Sequence, residues 1–96
     1  MIVDDEMRAL ELYRLALSLV EAKGRSVSVG LTDHREFREG SLTIIYLPKS
    51  SHLDIWHRRK VLTINQRGKT PKVTYYSRGE WEEELQEEAR SALKSA

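Results

Sequence analysis

The sequence predicts an α+β domain built from an N-terminal helix, an antiparallel sheet of four or five strands and a C-terminal helix. Three observations carry that expectation. Apolar residues recur at helical spacing over residues 5–23, alternate with a period of two through most of residues 26–76, and return to helical spacing after Ser77. At 96 residues, with no internal repeat, low-complexity tract or linker, the chain is expected to form a single domain, 1–96, around one core.

In the first helix, Asp4 or Asp5 suits the N-cap, and Met7, Leu10, Tyr13, Leu17 and Val20 fall on one side. Gly24 suits a left-handed residue just past the C-terminus. Leu12, Leu15, Ala16 and Leu19 widen the apolar side to about half the circumference, more than the roughly 100° stripe that docking on one sheet requires. The surplus needs a cover, and a homodimer through this helix is the simplest one.

Val27, Val29 and Leu31 alternate with small polar residues and predict a short strand, after which the charged residues 33–40 read as a turn or long hairpin. Residues 42–47 are β-branched and aromatic and stop at Pro48, where a ladder donor is lost. Leu53, Ile55 and His57 alternate with Asp54 and Trp56, and residues 61–64 form another apolar run, so residues 53–64 fit one bent strand or two short ones. Gly68 and Pro71 place a turn over 66–71, followed by a strand over 72–76. Ser77 and Glu80 match a capping box, and Trp81, Leu85, Ala89, Ala92 and Leu93 give the second helix a narrow apolar face.

Composition bounds the function classes. The absence of cysteine excludes disulfides, thiolate metal sites and a cysteine nucleophile, and suits a cytoplasmic location. The longest apolar run, residues 15–20, is broken by Ser18 and falls far short of the roughly 20 residues of a membrane span. Asp4, Asp5 and Glu6 lie where a signal peptide carries positive charge, so neither export nor membrane anchoring is expected. No glycine-rich phosphate loop or nucleophile elbow is present, and nothing calls for a cofactor.

The distribution of charge is more informative than its net of +1. Residues 49–78 carry eight basic side chains and one acidic one, whereas residues 79–96 carry two basic and six acidic. Arg58, Arg59, Lys60, Arg67, Lys69, Lys72 and Arg78, with Tyr75 and nearby Lys49, Trp56 and Tyr76, form a basic, aromatic-interleaved segment. Cations pair with a phosphate backbone and aromatic faces stack on bases, so these residues are the candidate surface for nucleic acid or an acidic protein partner. The same residues also fit a solvated bend and hairpin, with Trp56 and one tyrosine in the core.

Two further classes stay open. A metal-independent ribonuclease needs a general base, a general acid and cations, which His57, Tyr75, Arg58 and Arg67 could supply. An inhibitor or accessory protein of a nucleic-acid-processing protein would use the acidic C-terminal helix. His52, Asp54 and His57 are close enough in sequence to draw a metal site, but without a further ligand at defined spacing no metal is expected. The order of elements resembles the double-stranded RNA-binding domain in outline only, because the second helix begins with Gly79, Glu80, Trp81, Glu82, Glu83 and Glu84 where that family presents lysines.

Overall fold

The computed structural model describes residues 2–30, 32–65 and 72–95. Helix α1 (Ile2–Lys23) leads into β1 (Arg25–Val29), β2 (Thr32–Glu39) and β3 (Leu42–Leu47). A single 3-10 turn (Pro48–Ser50) precedes β4 (His52–His57), β5 (Arg59–Asn65), β6 (Lys72–Tyr75) and α2 (Trp81–Ser95). The strands form one antiparallel meander in chain order, six strands rather than four or five.

The additional strand is β2, which occupies the residues expected to turn. Its charged side chains are tolerated because Arg35 and Phe37 point to the helix side while Glu36 and Arg38 point to a face that no described element covers. Residues 53–64 resolve into two strands joined through Arg58, whose backbone takes the left-handed conformation at φ 71°. Their register shifts once: Ile55 opposes Leu62 but Trp56 opposes Lys60, leaving Val61 as the extra residue of a β-bulge. Val61 is thereby buried beside Leu62, and its carbonyl accepts the backbone N–H groups of Tyr76 (3.0 Å) and Ser77 (3.4 Å), which turns the chain off β6 toward α2.

The core lies on one sheet face. Phe37, Leu42, Ile44, Leu53, Ile55, Leu62 and Ile64 are buried there under both helices, with Tyr46, Val73 and Tyr75 at its margin. Helix α1 contributes Ala9, Leu12, Tyr13, Ala16, Leu19 and Val20, and α2 contributes Trp81, Leu85, Ala89 and Ala92. The helices also pack on each other, tied by Arg8 Nε donating to Glu82 Oε1 at 3.0 Å. Burial, and then Tyr46 beside it, raises the Tyr13 phenol above its ordinary value, so it remains a neutral donor.

Helix α2 accounts for the surplus apolar arc of α1. Leu15 and Leu17 pack against the core, and Met7 alone among the described large apolar side chains of α1 is exposed, at 58%. The reason for expecting a homodimer through this helix is therefore gone. Among the described residues no helix is long and apolar enough to cross a membrane.

Both inner helix ends differ from expectation. Gly24 is not left-handed; its N–H donates to the Val20 carbonyl at 2.7 Å, and any Cβ would collide with that oxygen. The carbonyls at the end of α1 are met instead by Arg35, whose Nη2 reaches the oxygens of Val20, Glu21 and Gly24 at 3.3, 3.4 and 3.0 Å. Helix α2 starts at Trp81, too late for Ser77 to be its cap; the Ser77 carbonyl accepts the Trp81 indole N–H at 2.8 Å instead.

Trp81, 2% exposed, anchors α2 as its position in the sequence predicts. Trp81→Ala should destabilise the fold by about 3–5 kcal/mol, the range for truncating a buried large aromatic. Urea denaturation checks this, and an unchanged midpoint would show that α2 docks without the indole.

Candidate nucleic-acid interface

Strand alternation divides the sheet into a helix-covered face and a bare one. On the bare face the register aligns Arg38, Thr43, Trp56 and Lys60 in one row across β2, β3, β4 and β5. Trp56 is half-buried, and the Lys60 ammonium lies over its ring, 5.2 Å from the centroid, a cation–π arrangement. The buried indole Nε1 has no hydrogen-bond partner among the described residues. A phenyl ring would cover the same surface without an unmet donor, so packing alone is a poor reason for tryptophan here.

The next row toward the sheet centre runs Glu36, Ile45, Asp54, Thr63 and Thr74. Asp54 is its hub: one oxygen accepts from Thr63 Oγ1 and faces His52 Nε2, both at 2.9 Å, and the other lies 3.8 Å from Lys60 Nζ. His57 is on the opposite face, so the His52, Asp54 and His57 set is not brought together. Among the described residues no three His, Cys, Asp or Glu side chains gather at metal-binding spacing.

At the sheet end where β2 turns into β3 and β4 into β5, Arg58 borders two concavities. One, on the bare face, has a volume of about 280 Å³ and is lined by Arg38, Ser41, Thr43, Ile45, Trp56 and Arg58. The other, about 400 Å³, lies between the β4–β5 turn and the segment leading into α2. Arg58, Arg59 and Arg78 frame it over Val61, Ser77 and Trp81, with His57 and Glu80 at its rim. Arg58 and Arg59 are exposed and, among the described residues, have no ion pair or side-chain hydrogen bond. Adjacent like charges without a counter-ion favour any anion that enters.

The expected basic surface is therefore only partly assembled. Arg58, Arg59 and Arg78 converge at one sheet end, while Lys60 is on the bare face beside Asp54. Lys72 opposes Asn65 and lies toward the other end of the sheet with Lys49, because the meander sends the β3–β4 and β4–β5 turns to opposite ends. Arg67 and Lys69, with the turn expected over 66–71, lie outside the described residues. Tyr75 is half-buried on the helix-covered face, its ring 4.4 Å beneath the Arg78 guanidinium, so it is not an open stacking platform. Tyr76, 59% exposed, is the aromatic that solvent reaches there. Sequence reasoning missed Arg38, Ser41 and Thr43 as partners of Trp56; reading 33–40 as a strand would have placed Arg38 on the Trp56 side.

Helix α2 spends part of its acidic charge internally, since Glu82 pairs with Arg8, Glu84 with His57 and Glu87 with Arg90. His57 Nε2 lies 2.5 Å from Glu84 Oε2, but off the line that a hydrogen bond requires. Compared with protein-family models, curated proteins and solved structures, the chain has no significant match to any.

A left-handed non-glycine residue costs roughly 1–2 kcal/mol. Arg58→Gly should therefore leave stability unchanged or raise it by up to about 1 kcal/mol, measured by chemical denaturation. A clear loss of stability would show that the Arg58 side chain serves the fold.

Proposed function

We propose that the protein is a non-enzymatic binding module whose Arg58, Arg59 and Arg78 cluster engages the phosphates of a nucleic acid. The observation that carries this reading is the pair of uncompensated, adjacent arginines, one of them in a strained backbone conformation, beside a groove that a third arginine closes. Glu80 on the rim opposes part of the field, which suits a contact confined to the arginines rather than one spread over the whole basic segment. Trp56 and Tyr76 nearby favour nucleic acid over an acidic protein, because aromatic faces add stacking that a carboxylate-rich peptide does not use.

The closeness of His57, which lines this groove, to Glu84 on α2 favours a second reading, a metal-independent ribonuclease. An imidazole beside a carboxylate is a candidate for general acid–base work, and arginines stabilise charge on a phosphate. Tyr75, the other proton-transfer candidate, is half-buried beneath Arg78 rather than among the residues that line the groove.

If three arginines each neutralise one phosphate, the logarithm of affinity falls against that of salt with a slope of about −2 on single strands and about −3 on duplex. The double variant Arg58→Ala, Arg59→Ala should flatten it to about a third of that value. Absence of binding to any RNA or DNA at about 50 mM salt overturns the reading and leaves an acidic protein as the partner of this end. Fragmentation of the RNA during the titration, lost in His57→Ala, would instead establish the ribonuclease.

A further inference from the structure

The bare-face concavity is a separate site from the arginine groove, and its lining has a distinct chemistry. Among the described residues its charged groups are two guanidiniums, Arg38 and Arg58, and no carboxylate lines it. Ile45, Thr43 and the Trp56 ring give it apolar walls, and Ser41 adds a hydroxyl. At about 280 Å³ it lies at the small end of ligand sites, with room for one planar ring system rather than an inserted helix. Arg38 is 68% exposed and, among the described residues, pairs with Glu36 at 2.9 Å, which leaves its outer edge open to solvent.

We infer that this concavity takes one unpaired nucleobase against the Trp56 ring, which makes the protein selective for single strands. The inference rests on the phosphate-binding reading above. Arg58 lines both concavities, so a phosphate held in the arginine groove is adjacent to a base in the pocket, and Arg38 meets the phosphate on the other side. A paired base is stacked on its neighbours and cannot enter. Lys60, over the ring and near Asp54, fixes the indole, and Thr43 flanks it on the next strand. The carboxylates of Glu36 and Asp54 in the adjacent row repel a backbone displaced toward the sheet centre and so hold the strand at the Arg58 end.

The test compares three probes of equal phosphate number, a single-stranded oligonucleotide, an abasic strand of the same length and a duplex of half that length, by fluorescence anisotropy at one salt concentration. The wild type should bind the single strand roughly tenfold more tightly than the abasic strand, the scale of one base stacked on an aromatic side chain. Trp56→Ala should remove that preference while leaving abasic affinity and the salt slope unchanged, and Trp56→Phe should keep most of it. Arg38→Ala, at an exposed position, should weaken single-strand binding without affecting folding. Equal wild-type affinity for the three probes overturns the inference and leaves the phosphate contact standing, a result that needs no variant. Absence of binding to all three removes both.

Discussion

Burial of one face of the meander under two helices is the interaction on which the rest of this molecule depends. The cross-strand sets Ile44, Ile55 and Leu62, and Tyr46, Leu53 and Ile64, put the bulk of the apolar surface on one side, and α1 and α2 divide it between them. Neither helix covers that face alone. Helix α1 is held by its own buried stripe and by Arg35, which ties its last carbonyls to β2, and α2 is held by Trp81. With both helices on one side, the other side keeps partly exposed apolar residues in its central strands, Ile45 and Trp56 among them.

The bulge at Val61 converts this scaffold into a site. One extra residue in β5 buries Val61 and keeps Lys60 facing Trp56, and the Val61 carbonyl redirects the chain so that Arg78 comes beside the β4–β5 turn. Arg58 then occupies a left-handed position that glycine fills at lower cost, and it borders both concavities. Strain, uncompensated charge and a half-buried tryptophan with an unmet donor coincide at one end of the sheet. Each departs from what folding alone favours, and such departures gather where a protein meets a ligand.

The order of elements was legible because periodicity is local: Leu42 to Leu47 and the stripe of α2 need no distant partner to be read. β2 was illegible because its charged residues answer to tertiary facts, a bare face for Glu36 and Arg38 and a helix end for Arg35. Gly24 was rightly located at the helix end for the wrong reason, since a close carbonyl rather than a positive φ demands it. Within the candidate site, Arg58, Arg59 and Arg78 could be singled out from charge alone. Their separation from Lys72 could not, because hairpin turns alternate between sheet ends and the expected four or five strands fell short of six. The partnership of Arg38 with Trp56 spans three strands and required the register.

The central claim is that the Arg58 end of the sheet meets nucleic acid. It is tested most directly by titrating isotope-labelled protein with a short single-stranded oligonucleotide and following the amide, indole and guanidinium resonances. The account predicts shifts at Arg38, Thr43, the Trp56 indole, Arg58, Arg59 and Arg78, with Lys49 at the far end and the exposed side of α1 unmoved. Shifts confined to the acidic surface of α2, or none at low salt, would contradict it.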